Sequence, residues 1–379
     1  MTALRLTEPD LDFIKELQKT GGESLKKCFQ CATCSVVCQL SPDNNPFPRK
    51  EMIWAQWGQK ERLVSDHHVW LCHQCNDCST NCPRGARPGD VLAAVRAQSI
   101  RHYSIPGFMT KIVQDPKLIL VALAIPVLYV LAMLGVDGHL STLIHPPKAE
   151  VEYGSYFLSH LTLNIMFTSA FVIFLLGGLV GLTRFINDMK KTDPIPGDKD
   201  PGFIKAVIAA FFELLAHRKF KKCTAGSNRY FSHFGLFYGF ALLFIVTSIV
   251  VLLILVAPDT YPINSLSNPL KLAGNLGAIL LIGGGLIAIY DRLTTPDLAG
   301  QSSYFDWFFL LVILTVGITG LLTEIARFTN ASSWAYWMYF FHIVFVFCLL
   351  CYLPYSKFGH LLYRFFAIVH SKRVGGYPE

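Results

Sequence analysis

The chain has 379 residues, of which 52% are hydrophobic and 16% are charged, and its formal net charge is +7. Ordinary soluble domains contain about 25% charged residues, so disorder and a nucleic-acid-binding surface both fit this composition poorly. Eight of the 11 cysteines lie between Cys28 and Cys82, which indicates a cysteine-rich metal domain joined to a membrane region.

Residues 1–117 have the composition of a soluble domain and contain all eight clustered cysteines. Met52, Ile53 and Trp57 lie at helical spacing, which predicts a helix over 49–63, and a second helix is predicted over 89–100. No basic segment followed by an apolar core begins the chain, so we predict no signal peptide and a cytoplasmic domain.

The clustered cysteines form two groups with the same spacing, C-x2-C-x2-C-x3-C. They are Cys28, Cys31, Cys34 and Cys38 in the first group, and Cys72, Cys75, Cys78 and Cys82 in the second. This spacing is typical of bacterial ferredoxins, in which the fourth cysteine of each run ligates the other [4Fe–4S] cluster. We therefore predict that one cluster is held by Cys28, Cys31, Cys34 and Cys82, and the other by Cys72, Cys75, Cys78 and Cys38.

Zinc and disulfides are the alternatives for these cysteines. Structural zinc sites usually take ligands in pairs separated by a longer gap, and disulfides are disfavoured in a reducing cytoplasm. The remaining cysteines, Cys223, Cys348 and Cys351, are predicted to pack as small hydrophobic side chains.

Residues 118–379 contain six uncharged stretches of 17 to 29 residues, against about 20 needed to span a bilayer. The predicted spans are Leu118–Val136, Leu161–Thr183, Phe234–Pro258, Leu272–Tyr290, Trp307–Thr323 and Phe328–Ser356. The loop over 184–232 carries ten Lys and Arg residues, whereas the three connections predicted to lie outside carry one each. The positive-inside rule then places both termini in the cytoplasm.

Two further features of the membrane region carry predictions. Residues 203–216 form an apolar segment too short to span, which either lies along the inner lipid surface or packs as an ordinary helix. The glycines of the fourth span, Gly274, Gly277 and 283–285, fit close packing between helices.

Ionisable residues within spans are functional candidates, and the last span carries His342 and His360. Their spacing of 18 residues predicts that they share one face of a single helix, about 27 Å apart, with Pro354 between them. Depth matching pairs His160 with His342 for an outer haem b and His233 with His360 for an inner one. Interfacial or hydrogen-bonded histidines are the alternative.

Basic side chains are predicted to contact the propionates of the inner haem, and the other histidines to be solvated. The basic residues are Arg229, Lys357 and Arg364, and the histidines are His67, His68, His73, His102, His217 and His370.

Two segments of the membrane region resemble the nitrate reductase gamma-type cytochrome b family. They are HIVFVFCLLCYLPYSKFGH, His342–His360, and Ser232-His233-Phe234-Gly235. That family has a second histidine ten residues after His233, where this chain has Leu243, so His160 is taken as the fourth ligand.

The N-terminal domain resembles the iron–sulfur C subunit of heterodisulfide reductase, and the domain order resembles the C subunit of the quinone-interacting membrane-bound oxidoreductase complex. The resemblance implies cytoplasmic flavin and iron–sulfur partner subunits, menaquinone as substrate, and electrons linked to adenylylsulfate reductase in a prokaryotic cytoplasmic membrane.

The resulting expectation is a mainly α protein, with a small ferredoxin-like two-[4Fe–4S] domain followed by a six-helix transmembrane cytochrome b bundle. Its expected function is electron transfer between menaquinone and soluble partners through two haems b and two clusters. The alternatives are a quinol–thiol oxidoreductase subunit of the heterodisulfide or sulfite-reduction type, and a membrane-anchored iron–sulfur redox sensor.

Overall fold

The computed structural model describes residues 8–197, 200–223, 227–257, 265–296 and 300–377. Within these ranges the secondary structure is helical and contains no strand, as the sequence predicts. Six helices are long and apolar enough to cross a membrane.

The N-terminal part is built from short helices joined by tight turns. They are α1 Leu11–Leu17, α2 Thr33–Val37, α3 Arg49–Gln56, α4 Lys60–Val64, α5 His68–Leu71, α6 Asp77–Thr80, α7 Pro88–Tyr103 and α8 Gly107–Gln114. Leu17, Leu25, Met52 and Val95 are each fully buried and form part of the core on which these helices pack. Burial of apolar side chains is the main stabilising contribution in such a small unit.

Longer helices follow. They are α9 Ile119–Val136, α10 Tyr153–Tyr156, α11 His160–Thr192, α12 Phe203–Ala216, α13 Ser227–Val256, α14 Pro269–Thr294, α15 Tyr304–Phe328, α16 Ser332–Cys351 and α17 His360–Arg373. The six candidate spans among them, α9, α11 and α13 to α16, correspond to the six predicted stretches. Pro258, which closes the predicted third span, lies outside the described residues.

The predicted single helix carrying His342 and His360 is interrupted. Helix α16 ends at Cys351, two 3-10 turns follow over Leu353–Tyr355 and Lys357–Gly359, and α17 begins at His360. Pro354 cannot donate an amide hydrogen bond, and the Ser356 hydroxyl instead accepts one from the backbone N–H of Phe358 at 3.2 Å. The expectation of one continuous helix is therefore wrong, and the two histidines lie on separate helices.

Helix α12 has one packed face and one exposed face. Ala206 and Ala210 are buried, and the helix packs against α17, whereas Ile204, Phe211 and Phe212 are exposed. The packed face fits the ordinary-helix alternative, and the exposed apolar face fits the lipid-surface alternative.

Helices α13 and α14 approach each other at Gly277 and Gly284, as predicted for the fourth span, whereas the same prediction is wrong for Gly283, where an added Cβ would meet nothing within 4 Å. A Cβ added to Gly239 would lie 2.5 Å from the backbone nitrogen of Leu281, and one added to Gly284 would lie 2.6 Å from the Ser232 carbonyl oxygen. The Ser232 hydroxyl also donates to the Gly284 carbonyl at 2.8 Å. Small residues thus let the two backbones touch and fix the position of α13.

Helix α17 packs against the N-terminal part rather than continuing α16. Its Tyr363 ring stacks on Trp70, with ring centroids 5.1 Å apart and planes 14° apart, and Phe185 of α11 contacts both rings. The cysteine-rich part therefore lies directly on α11 and α17.

Candidate cofactor sites

The two cysteine loops share an uncommon backbone shape. Gln30 and Ala32 in the first loop have φ of 59° and 68°, and Gln74 and Asn76, at the matching positions of the second, have φ of 55° and 64°. Residues other than glycine rarely adopt this left-handed conformation, and each instance costs about 1–3 kcal/mol. The same strained turn at the same two places in each loop indicates two loops shaped for the same ligand.

Backbone and side-chain donors in these loops point at sulfur atoms. The Gln74 backbone N–H donates to Cys72 Sγ at 3.2 Å, and Gln30 Nε2 donates to Cys28 Sγ at 3.3 Å. Hydrogen bonds to sulfur stabilise negative charge on thiolates and on iron–sulfur clusters.

The structure brings Cys82 to the first loop. Burial is the largest cause that raises the pKa of Cys28, and negative charge on Cys82 and Cys31 raises it further. Burial raises the pKa of Cys34 to about 11, and the charges on Cys28 and Cys31 add to that shift. These four thiols, which the sequence assigns to one cluster, therefore lie close enough to influence one another.

The structure likewise brings Cys38 to the second loop. Burial raises the pKa of Cys38 to about 12, and the charges on Cys72 and Cys75 add to that shift. Burial also raises the pKa of Cys78, with added contributions from Cys72, Cys75 and Cys38. Thiols with raised pKa values ionise when a metal compensates their charge, so each set is suited to a cationic iron–sulfur core. Ligation of iron by these residues stays a prediction.

The sequence predicts that Cys223 packs as a small hydrophobic side chain, but in the structure it lies beside the second loop. A side-chain hydrogen bond between Cys223 and Cys75 is the largest contribution raising the pKa of Cys75, ahead of burial. Its position depends on the turn after α12 and has no sequence signal of its own. Cys348 and Cys351 are buried within the apolar core, as predicted.

Three histidines meet where α12, α13 and α17 converge. His217 Nε2 is 3.0 Å from His233 Nδ1, and the rings of His233 and His360 have centroids 6.5 Å apart. The Nδ1 of His360 lies 2.6 Å from the Lys357 carbonyl oxygen. Both His233 and His360 thus have Nδ1 engaged by a neighbour, which is the usual arrangement around a histidine that binds a metal through Nε2.

The space beside these rings divides into an apolar and a polar cavity. The apolar cavity has a volume of about 440 Å³ and is lined by His217, His233 and His360, together with many phenylalanine and leucine side chains. The polar cavity, about 260 Å³, is lined by His233, His360 and Cys72. A flat apolar ring with acidic substituents fits this pair of cavities, because five cationic side chains and only three carboxylates also line the polar one. They are Arg96, Arg229, Arg292, Lys357 and Arg364, and Asp90, Asp291 and Asp306.

Burial sets the protonation of His217 and His360, which lie outside the candidate spans. It lowers the pKa of His360 to about 4 and also lowers the pKa of His217, so both imidazoles are neutral at pH 7. A neutral imidazole is the form that binds a metal.

The other two predicted ligands lie in different surroundings. His342 lies within α16, with Nδ1 3.2 Å from Thr319 Oγ1 and its ring against Gly320. His160 begins α11, and a Cβ added to Gly154 would lie 2.6 Å from its Nε2. Their pairing around an outer haem stays a prediction.

The prediction that the remaining histidines are solvated is wrong for four of them. His67, His68, His217 and His370 are all at most 5% exposed. Sequence reasoning missed His217 because its approach to His233 depends on the left-handed turn that ends α12, with φ of 49°. It missed the others because contact between the N-terminal part and α17 buries them.

Comparison with known proteins matches the N-terminal part and the membrane part of the chain to different family models. A family model described as "Citrate utilization protein B" matches residues 170–375, and one described as "4Fe-4S dicluster domain" matches residues 24–86. No solved structure gives a significant match to the chain.

About a quarter of the chain also matches relatives named as redox proteins. It is 34% identical over 101 residues to the C subunit of the H(2):CoB-CoM heterodisulfide,ferredoxin reductase of Methanothermobacter thermautotrophicus, covering 26% of this chain and 52% of the relative. It is 35% identical over 95 residues to a protein of Archaeoglobus profundus that is named as similar to the C subunit of heterodisulfide reductase, covering 25% and 49%. The chain thus spans about half the length of the relatives it matches.

Proposed function

The chain belongs to the family described as "Citrate utilization protein B", and from that premise we propose that it is the membrane electron-transfer subunit of a multi-subunit oxidoreductase. It relays electrons between menaquinone and cytoplasmic flavin and iron–sulfur subunits, through two [4Fe–4S] clusters and two haems b. The single observation that carries the proposal is the polar cavity, because Cys72 of a cysteine loop and both His233 and His360 line the same space.

The match to a dicluster domain and the two matching loops support the cluster part of the proposal. Cys28, Cys31, Cys34 and Cys82 hold one cluster, and Cys72, Cys75, Cys78 and Cys38 hold the other. The second lies next to the histidine site, because Cys72 belongs to it.

The inner haem site is supported by the chemistry of its donors. His233 and His360 present imidazoles beside an apolar cavity, and their 6.5 Å centroid separation leaves room for one metal atom at metal–nitrogen distances of about 2 Å. Arg229, Lys357 and Arg364 would neutralise the propionates. Haem b held there would supply one-electron redox chemistry between the quinone and the clusters.

His217 is a positioning residue for that site. Its contact with His233 Nδ1 fixes the orientation of the ring that faces the cavity. The second haem is assigned to His160 and His342, where Thr319 orients the His342 ring.

The expected location is the prokaryotic cytoplasmic membrane. Six spans support a multi-pass protein in a lipid bilayer, and the basic loop over 184–232 supports cytoplasmic termini. Nothing in the composition favours a nucleic-acid partner.

Three versions of this proposal differ in the substrate of the whole complex. The resemblance to the quinone-interacting complex favours adenylylsulfate reductase as partner, the relatives' names favour a heterodisulfide, and the family description favours citrate utilization. Dithionite-reduced protein, copurified with its partner subunits, is mixed in turn with three oxidants: adenylylsulfate reductase with adenylylsulfate, CoB–CoM heterodisulfide, and an unsaturated tricarboxylate. One of the three should reoxidise the protein. The same oxidant should have no effect once the partner subunits are removed.

One redox titration tests for the two haems and two clusters, which all three versions of the proposal share. Purified full-length protein should show a reduced α-band of haem b in the optical spectrum and two [4Fe–4S] signals by electron paramagnetic resonance. Protein without any haem band would overturn the cytochrome assignment and favour the redox-sensor alternative.

Histidine variants test the ligand pairs. Replacing His233 or His360 by Ala should abolish the same haem signal, and replacing His160 or His342 the other, whereas exposed His145→Ala should change neither. Loss of different signals within one pair would refute that pairing.

A further inference from the structure

A second group of ionisable side chains lies outside the cofactor sites. It forms where the segment before α5 meets the C-terminal end of α11 and the end of α17. His67 Nδ1 is 3.7 Å from Asp193 Oδ2 and 4.0 Å from Asp66 Oδ1, and the rings of His67 and His370 have centroids 5.1 Å apart. His67 and His370 are 2% and 4% exposed, so water screens this group poorly.

The geometry of three of these residues suits a metal ion. One donor atom from each of His67, Asp193 and His370 lies within 4.8 Å of the other two. Donors bound to a tetrahedral Zn²⁺ at about 2.0–2.1 Å lie roughly 3.4 Å apart, so a contraction of at most about 1.4 Å would complete the site. The Asp193 carboxylate is 39% exposed and provides a way in from solvent.

Buried polar atoms without partners support a missing ligand. Among the described residues, the Nε2 atoms of His67 and His370 and the Oδ2 atom of Asp66 have no hydrogen-bond partner. Buried polar atoms normally have hydrogen-bond partners, so unpartnered ones grouped in this way point to a bound ion. The backbone of Asp193 also hydrogen-bonds the His370 ring, the arrangement that orients a histidine toward a metal.

The surrounding charges favour a cation. Asp66 and Asp193 supply carboxylates, and the cation Lys50, whose charge also acts on His67, has Nζ 3.0 Å from His68 Nδ1 and 3.6 Å from Glu51 Oε1. Arg373, which also faces His370, is bound to Asp200 at 2.6 Å and so is largely compensated.

Protonation agrees with this arrangement. Burial lowers the pKa of His67 well below its ordinary value, so its imidazole is neutral and carries a free lone pair. Burial raises the pKa of Asp66, but Lys50 and His68 lower it more, and the carboxylate is ionised at pH 7.

We propose that His67, Asp193 and His370 bind one divalent transition-metal ion of the Zn²⁺ class, with the Asp66 carboxylate close enough to complete or support the coordination. Each ligand comes from a different segment: the turn before α5, the end of α11, and α17. The ion therefore ties the cysteine-rich part to two helices of the membrane part. The adjacent hydrogen bond between Ser65 Oγ and Thr192 Oγ1, at 2.9 Å, already joins two of these segments.

Metal content of the intact protein tests the proposal. Full-length protein purified from zinc-supplemented medium should contain about one Zn per chain by inductively coupled plasma mass spectrometry, together with cluster iron. His67→Ala and His370→Ala should lower zinc at least tenfold while iron stays constant, and His145→Ala should retain both. Asp193→Asn, at a partly exposed position, keeps the test valid if a histidine variant fails to fold.

A direct binding measurement complements the metal count. Isotopically labelled Zn²⁺ added to chelator-treated protein should bind with saturation near one equivalent, and Asp193→Asn should weaken binding at least tenfold. Wild-type protein that takes up no Zn²⁺ would overturn the proposal. Equal zinc in wild type and all three ligand variants would also overturn it, because the ion would then lie elsewhere, for example on the cysteines.

Discussion

Arg364 Nη1 donates a hydrogen bond to the carbonyl oxygen of Cys72 at 3.2 Å. The same guanidinium contacts His73 Nε2 at 2.6 Å through Nη2. Arg364 lies one helical turn after His360 on α17, so one partly buried cation links the second cysteine loop to the helix of the histidine site. A charge in that position acts electrostatically on both proposed cofactors.

Replacing Arg364 should change the reduction potential of the second cluster. Arg364→Gln removes a positive charge that would stabilise the reduced, more negative cluster, so its potential should fall by tens of millivolts. The measurement is a redox titration followed by electron paramagnetic resonance. Arg364→Lys is the matched control, since it keeps the charge and should retain most of the potential; equal shifts in the two variants would contradict an electrostatic role.

Single cysteine variants should show whether the fourth cysteine of each motif ligates the cluster of the other motif. Cys82→Ser should remove the same cluster signal as Cys28→Ser and leave the signal that Cys72→Ser removes, because Cys82 lies with the first loop. Each variant should keep about half of the cluster iron. If Cys82→Ser instead resembles Cys72→Ser, each motif binds its own cluster and the exchange is disproved.

The glycine contact between α13 and α14 offers a matched pair of substitutions. Gly284→Ala places a Cβ 2.6 Å from backbone atoms of α13 and should destabilise the protein by about 1–3 kcal/mol. At Gly283 a Cβ meets nothing within 4 Å, so Gly283→Ala should be neutral or slightly stabilising. Thermal unfolding in detergent distinguishes them, and similar melting temperatures for the two variants would show that the helices do not touch there.

Glu51 should make stability depend on pH. It is fully buried, and neither carboxyl oxygen has a hydrogen-bond partner among the described residues. Burial, followed by the charge on Asp66, raises its pKa well above the ordinary value, so the folded state keeps a proton that the unfolded state has lost above about pH 4.5. The free energy of unfolding therefore falls as pH rises above that value.

Glu51→Gln keeps the shape of the neutral acid and removes its titration. The variant should gain stability over wild type by about 1.4 kcal/mol for each pH unit between roughly pH 4.5 and the raised pKa. Melting temperatures at pH 5.5 and pH 8 provide the comparison. Parallel pH profiles for variant and wild type would mean that Glu51 is ionised when folded.

The sequence alone predicted the long helices and, from the spacing of the cysteines, the position of Cys82. Hydrophobic length identified all six spans, and α12 occupies 203–216 as predicted, because both signals are local. The position of Cys82 beside the first loop also followed from spacing, because a short motif permits few arrangements around a cubane.

Features that depend on contacts between distant segments were missed. The environment of His217 arises from a turn, and that of His67 from the approach of α17, neither of which leaves a periodic pattern. The break after Cys351 was missed because apolar composition continues through it, and hydrophobicity does not distinguish a helix from two 3-10 turns. Cys223 was assigned to packing for the same reason, since its neighbour Cys75 is distant in sequence.

The contact between α5 and α17 imposes an order on biosynthesis. The cysteine-rich part precedes the six candidate spans in the sequence, whereas α17, on which Trp70 stacks, follows them. Synthesis from the N-terminus therefore makes the cysteine-rich part before its partner helix, and we expect the surface around Trp70 to stay uncovered until α17 has been made. Loading of the proposed clusters can thus precede docking onto α17.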